Sequence, residues 1–415
     1  MSEDLPEKDH FLSYLSKTPG IGGRIKKTPD DFIVEEILED GTILEKDKTF
    51  TRAGTEGNFT HFILQKREWT SEGAIRRIAD ELRISAKRFS YAGTKDKNAI
   101  STQLVSVFGI SKEKLLSLNL KDIKILGAWS SSDKTRLGSL LGNRFKIVVH
   151  GQNPNEKNAV EVIYKELNGV FPNYFGPQRF GSSRRNTHKL GEYLAKGRHD
   201  LAALEFLCEC KGETNELAIL ARKNLRETGD FKKALKEFPK YLHLERALLT
   251  HLAVYPRDYA GALRKLPRRI LLLFVHAFQS HIFNLALSER IAEGALNKLE
   301  EGEYSCGETG GFPDIKKQES HSRWIAGKMI GYETKVNERE KRILEMFDIK
   351  PRDFKIKAIP EISSKGTHRT LLSPLKDFSF YNNTFTFSLQ SGAYATAALR
   401  EFLDRDKNDG GGSGV

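Results

Sequence analysis

The sequence predicts an α/β protein of the α+β kind, in which a mixed, mainly antiparallel sheet is interrupted by a largely helical insertion. Three observations carry this prediction. β-rich stretches joined by short turns fill the N-terminal part of the chain. From about Gly191 the texture changes to Leu, Ala, Lys and Glu at helical spacing, and strict apolar alternation returns between Phe378 and Leu389. A sheet signal on both sides of a helical middle assigns residues 1–182 and 358–405 to one discontinuous domain. Residues 183–357 then form an inserted domain and 406–415 a flexible Gly-rich tail.

Taken in order, Arg24 to Glu36 gives a basic entry, a Pro29-Asp30-Asp31 turn and a β segment. Thr60 to Lys66 has strand character, and Thr70 or Ser71 caps a helix whose Ile75, Ile78, Ala79 and Leu82 share a face. Lys87 to Tyr91 and Ile100 to Val107 read as strands flanking a loop, Ser111 to Leu118 as a short helix and Ile123 to Trp129 as a strand. In Phe145 to His150 the apolar Phe145, Ile147 and Val149 alternate with Lys146, Val148 and His150, so one side faces a core. Leu190 to Arg226 and Phe231 to Tyr259 are helical. The helix Ile270 to Ile291 carries a Phe274, Phe278, Ile282, Leu285 stripe with polar His276, Gln279, Ser280, His281 and Asn284 among it. Glu300 to Gly311 reads as a charged Gly-rich loop and Ile315 to Arg342 as a mixed segment. Phe378 to Leu389 with Asn382-Asn383 at its centre is a hairpin, and Ala397 to Leu403 a closing helix.

Composition narrows the partners. The 415 residues carry 67 Lys plus Arg against 55 Asp plus Glu, a formal charge of +12, which biases the chain toward polyanions. Cys208, Cys210 and Cys306 supply neither a disulfide framework nor a complete zinc site, so reduced thiols of a cytoplasmic protein are expected. The N-terminus is acidic and polar rather than signal-like, and the apolar run Ile270 to Phe278 is short and contains His276, so no membrane association is expected. Gly20-Ile21-Gly22-Gly23 lacks dinucleotide-fingerprint spacing, and Gly327-Lys328 lacks the flanking residues of a P-loop.

The chemistry is placed on Tyr91 to Gln103, where Asp96 stands between Lys95 and Lys97. Two ammonium groups favour an ionised carboxylate, suited to nucleophilic or basic work. The alternative is a solvated turn whose Asp serves only backbone geometry. Lys26 is suited to neutralising a phosphate or holding a carboxylate, or is a plain surface lysine. Phe145 is a core residue by default, or a ring for a base at the start of its strand. Asn173 to His188 interleaves Tyr174, Phe175, Phe180, Arg179, Arg184 and Arg185 with glycines, which suits a nucleic-acid groove or a structural loop with Arg-aromatic stacking.

Together these motifs resemble the TruD family of pseudouridine synthases, and they occur in the family's order. Lys26 with Pro29-Asp30-Asp31-Phe32 matches its basic entry, and Gly93-Thr94-Lys95-Asp96-Lys97 its catalytic loop. Gly142-Asn143-Arg144-Phe145 matches Gly-Asn-x-Phe, and Asn173 to Gly181 is the complete Asn-Tyr-Phe-Gly-x-Gln-Arg-Phe-Gly signature. Gly392-Ala393-Tyr394-Ala395-Thr396 matches the closing pattern except that Ala393 replaces Ser. The length and charge of the middle look closer to archaeal members than to short bacterial ones.

The resemblance implies a pseudouridine synthase catalytic domain with an inserted TRUD domain, isomerising one uridine of tRNA, typically position 13. It implies no metal, no organic cofactor and no obligate protein partner. By the same analogy Asp96 is the catalytic carboxylate, Lys26 is a basic residue close to it, and Asn143 and Phe145 support the aspartate and the base, with Lys95, its neighbour in sequence, as a further site-support residue. Tyr174, Phe175, Gln178, Arg179, Phe180, Arg184 and Arg185 bind RNA or support the site. Whether the carboxylate attacks sugar or base, or takes a proton from the sugar, stays open. Two rivals are a non-catalytic tRNA-binding factor or RNA chaperone, and another RNA-modifying enzyme such as a methyltransferase. The latter is disfavoured by the lack of a Gly-rich cofactor loop after a strand.

Overall fold

A computed structural model describes residues 12–151, 157–181 and 183–404; the tail expected at 406–415 lies outside the described residues. The strands are β1 Phe32–Ile37, β2 Phe59–Arg67, β3 Phe89–Tyr91, β4 Ile100–Phe108, β5 Ile123–Ser131, β6 Gly142–Val148 and β7 Val170–Pro172. They continue as β8 Tyr304–Thr309, β9 Phe312–Gln318, β10 Trp324–Met329, β11 Thr367–Thr370, β12 Leu372–Pro374, β13 Lys376–Tyr381 and β14 Thr384–Gln390. An eight-stranded sheet has the order β13-β14-β6-β1-β4-β2-β5, with β3 on β4 beside the end of β1. Within it β1 and β4 run parallel and every other pairing is antiparallel. The mixed, mainly antiparallel sheet of the sequence reading is therefore present, and the C-terminal hairpin completes it beside β6.

Local sequence explains the edges of this sheet. Asn382 and Asn383 take left-handed φ of 45° and 60° between the paired Tyr381 and Thr384, the two-residue turn that matches strand twist and that Asn tolerates best after Gly. The helix Ser71–Leu82 (α1) starts where Thr70 accepts the Gly73 N–H, and it buries Ile75, Ile78, Ala79 and Leu82 as its periodicity demands. On β6 Phe145, Ile147 and Val149 are buried while Lys146, Val148 and His150 are only half-buried, as the alternation predicts. Phe385, Phe387 and the helix Ala395–Leu403 close the core over this face.

Strand register arranges side chains in rows across that face, because alternate residues share a side. One row runs Phe387, Phe145, Val34, Ser101, Lys66. The adjacent row includes Leu389, Asn143 and Glu36. The second row lies beside the buried Gln103, which pairs with Leu64.

From Thr187 to Leu263 the chain is helical, and the 25-residue helix Arg268–Ala292 follows. Their apolar faces share one core with Ile330, Ile343, Phe354 and Ile362. Among the described residues Arg268–Ala292 is the one helix apolar and long enough to cross a membrane by length and composition. It lies inside the molecule, with Leu271, Val275, Phe278 and Ile282 buried. One expectation fails here. Glu300 to Gly311 is not a loop: Tyr304–Thr309 pairs with Phe312–Gln318 and with Trp324–Met329. Trp324–Met329 pairs in turn with β11, beyond position 358, so a four-stranded sheet runs across the boundary the composition had suggested. Its strands are short, and Tyr304, Cys306, Trp324 and Ala326 meet partners far along the chain, so a local window carries little of the signal.

Phe402 is fully buried, stacked on Phe378 at 5.1 Å and tilted against Phe385 at 5.3 Å. Phe402→Ala should cost about 3–5 kcal/mol, read as a lower denaturation midpoint with unchanged slope; a loss under about 1 kcal/mol would mean that the C-terminal helix does not hold the hairpin.

Candidate active site

The loop between β3 and β4 does not project into solvent; it folds back over the two rows just described. Its backbone is tied at several points. The Lys95 N–H donates to Ser71 Oγ at 2.9 Å, Ser71 donates to Gln103 Oε1 at 2.6 Å, and Gln103 Nε2 donates to the Gly93 carbonyl at 3.2 Å. The Gly138 N–H donates to the Ala92 carbonyl at 2.8 Å. Lys66 Nζ donates to the Asp96 carbonyl at 2.7 Å. A loop so held presents its side chains from a fixed frame rather than from a mobile tip.

On this frame the Asp96 carboxylate has two partners from remote segments. Lys26 Nζ lies 3.2 Å from Oδ2, and Gln178 Nε2 donates to Oδ1 at 3.0 Å. Lys26 takes a left-handed φ of 58°, its ammonium sits 4.4 Å over the Phe32 ring and its side chain is almost wholly buried. The Asp96 side chain remains 31% exposed, so the carboxylate is oriented from within yet reachable from outside.

The expected role of Lys95 changes. Its ammonium points away from Asp96, to Glu36 Oε2 at 2.7 Å and Asn143 Oδ1 at 2.8 Å, while Lys97 is exposed. The cation on the Asp96 carboxylate is Lys26, and Lys66 lies on its backbone. Lys95 and Glu36 are both buried, and a buried charge needs such a partner. Lys66 is fully buried, and burial pushes its pKa down to about 8 despite the nearby Asp96.

Lys66 and Glu36 were not singled out from the sequence. A signal existed: Lys66 stands in phase with Phe62 and Leu64, and Glu36 in phase with Phe32 and Val34. Both strands thus place a charge on the face that should be apolar.

Phe145 packs between Phe32 and Phe387, at centroid distances of 6.1 and 5.7 Å, and is 7% exposed; it is built into the floor of the site. The 173–181 signature is clasped by the long helix. Asn284 accepts the Phe175 N–H at 2.8 Å and donates to the Phe175 carbonyl at 3.0 Å. Ser280 accepts from Arg179 Nε at 2.9 Å. Gly176 admits no side chain, since a Cβ there would meet Thr396 and the Tyr394 ring at 2.8 Å. Of the two roles open to the aromatic residues, core packing takes Tyr174, whose hydroxyl donates to the Ser13 carbonyl, and Phe180, which meets the edges of His188 and His281. Phe175 lies against the guanidiniums of Arg369 and Arg179.

One arginine parts company with the site. Arg184 donates to the Phe206 carbonyl at 2.7 Å, shares Glu245 with Arg222 and lies 5.4 Å over the Phe206 ring. Its guanidinium is spent inside the helical region. Arg185 is half-buried with a left-handed φ of 47°. The structure therefore brings Asp96, Lys26 and Gln178 together, sets Lys95 and Asn143 beside them on Glu36, and leaves Arg184 elsewhere.

Comparison with known proteins identifies the family. The sequence model of tRNA pseudouridine synthase D (TruD) matches residues 10–402. A "Probable tRNA pseudouridine synthase D" of Archaeoglobus fulgidus is 36% identical over 425 residues, covering 96% of this chain and 99% of its own. One of Methanopyrus kandleri is 38% identical over 381 residues, covering 89% and 91%. The crystal structure of a TruD chain from Methanosarcina mazei superposes with a TM-score of 0.74 at 33% identity, covering 97% of this chain and 98% of that one. With the fold, the motif order and the relatives in accord over nearly the whole length, this chain belongs to the tRNA pseudouridine synthase D (TruD) family of isomerases.

Proposed function

We propose that this chain converts uridine 13 of transfer RNA to pseudouridine, with Asp96 as the carboxylate that acts on the extruded nucleotide. The observation that carries the reading is the Asp96 carboxylate held between Lys26 and Gln178 with one side open to solvent. The conversion breaks the C1′–N1 bond, joins C1′ to C5, releases the C5 proton and protonates N1. Atoms and electrons balance without an oxidant, reductant or second substrate. What the reaction needs is a group that acts on sugar or base, and walls that retain the detached uracil while it turns.

The surroundings of Asp96 suit both needs. Lys26 sets the direction of the carboxylate, and Gln178 fixes its other oxygen. The Lys66 bond to the Asp96 carbonyl keeps the main chain from yielding when a nucleotide presses on it. The target must leave its stack, at a cost of a few kcal/mol, and a net positive chain offsets this by gripping phosphates around it.

Three results test this. Wild-type protein should form pseudouridine in unmodified tRNA and Asp96→Asn should lose about 10³-fold in kcat or more while still binding; conversion by the variant at a comparable rate would remove Asp96 from the chemistry. Lys66 offers a pH test. Because burial lowers its pKa from 10.5 to about 8, the unfolded chain binds more protons between these values, and stability gains from this group as pH rises through that window. The stability difference between wild type and Lys66→Met should shift toward the wild type from pH 8 to 10.5; a flat difference would show that the ammonium is solvated. Arg184→Met should lower stability by about 1–3 kcal/mol while the salt slope of tRNA binding stays unchanged, since its donors are engaged internally. A slope reduced by about one would instead place it on phosphate.

A further inference from the structure

The turn Pro177–Phe180 has two sides. Gln178 faces Asp96, and Arg179, one residue on and so about 3.8 Å away at Cα, lines a cavity of about 690 Å³. That volume lies within the range of small-molecule sites. Its walls come from the 173–181 signature, the helix Arg268–Ala292, the Pro313–Lys316 part of β9, the strand β11 and the end of β14.

Three features set this cavity apart. Arg179 and Arg369 both reach the Phe175 ring, at 5.4 and 4.0 Å, so two guanidiniums share one aromatic side chain. Their hydrogen bonds all go to neutral acceptors. Arg179 binds the Ser280 hydroxyl, and Arg369 binds the Asn173 carbonyl, the Asn173 side chain and the Gly392 carbonyl. Among the described residues neither guanidinium has a carboxylate at ion-pair distance. Asp314 is the carboxylate in the lining, and it accepts from the Thr309 hydroxyl and the Lys316 N–H. Burial, with Arg179 nearby, pushes the Arg369 pKa down to about 10, which still leaves it charged at neutral pH, and a guanidinium such as Arg179 keeps its proton in proteins. Two partly desolvated cations without a counter-charge are what an anion would stabilise. The third feature is Gln390, 9% exposed, whose amide N–H₂ donates to Thr370 Oγ1 while Oε1 has no partner. Turning the amide over would only exchange which end is unpaired, and a buried unpaired polar group is costly unless something else meets it.

We propose that this cavity receives a second nucleotide of the bound RNA, one flanking the isomerised uridine, with its phosphate on Arg179 and Arg369 and its base edge on Gln390. The inference rests on the reading of Asp96 as the uridine site. It makes Gln178 and Arg179 a pair of rulers on one turn: Gln178 orients the carboxylate, and Arg179 fixes the neighbouring nucleotide against it. Sequence context around the target uridine would then be read at Gln390.

The test uses the full-length chain in an Asp96→Asn background, so that binding is measured without turnover. The probes are an unmodified tRNA transcript and ligated versions with a single methylphosphonate at either phosphate flanking the target uridine. With Arg179 present, neutralising the contacted phosphate should weaken binding about tenfold; with Arg179→Met it should matter less than twofold. An abasic site at the flanking nucleotide should likewise weaken binding, and Gln390→Met should mask it. Gln390→Met and the abasic probe carry the test alone if Arg179→Met does not fold by circular dichroism. Equal effects of every substitution in parent and variants would overturn the proposal. The two readings fail separately: coupling without any pseudouridine formed by the wild type keeps the cavity and discards the isomerase, and pseudouridine without coupling does the reverse.

Discussion

The site depends on one parallel pairing. β1 and β4 are aligned Ile33 to Ile100, so their N-terminal ends lie at the same edge of the sheet, the turn that carries Lys26 before one and the loop that carries Asp96 before the other. β2 runs antiparallel to β4 and brings Lys66 opposite Ser101 at that same edge. Were β1 antiparallel to β4, Lys26 would stand at the opposite end of the strand, roughly 17 Å away at about 3.3 Å per residue. A carboxylate with a buried lysine on its side chain and another on its carbonyl would not form. The antiparallel neighbours on either side give register, and the parallel pair gives convergence.

Charge is then sorted rather than pooled. The loop sequence Lys95-Asp96-Lys97 suggests an anion flanked by its own neighbours, but adjacent residues in an extended loop point apart, and Lys95 and Asp96 each find partners from other segments. Lys95 goes to Glu36 and Asn143, Asp96 to Lys26 and Gln178, and Lys97 to solvent. Interactions of this kind are worth most where water is excluded. A buried charge left without its partner would be worse than an apolar floor, which is why the set of pairings matters more than any one contact.

Much of this was legible in the sequence. β-rich composition marks β4 and β5, period-two patterning marks β6 and the hairpin, helical spacing marks α1 and the long helix, and the order of motifs marks the Asp96 loop and Lys26. Four things escaped. The strand Tyr304–Thr309 reads as a loop because Gly and charge dominate Glu300 to Gly311, although it forms a tight hairpin with Phe312–Gln318 across Gly310-Gly311. Lys66 and Glu36 escape because a charge in a strand reads as facing water; here a loop folded from elsewhere covers them. Composition groups Arg184 with the RNA-facing residues, although an arginine among aromatics and glycines is equally suited to binding carbonyls at helix ends. Tyr174 and Phe180 fell to the core branch of an ambiguity that single-chain patterning could not resolve.

The polar residues of the long helix connect these parts. Asn284 holds the backbone of Phe175, Ser280 holds Arg179, and Gln279 binds the Ile330 carbonyl and Ser364. A helix otherwise packed by Phe274, Phe278 and Ile282 thus fastens the signature segment to the helical region on one side and to the sheet on the other. Gly176 lets that segment lie against Tyr394 and Thr396, and the short turn after it fixes Gln178 and Arg179 relative to each other. A nucleotide engaging Arg179 would therefore load the same turn that orients the Asp96 carboxylate. Substrate grip and catalytic alignment would be coupled through a few residues of backbone, with no large motion required.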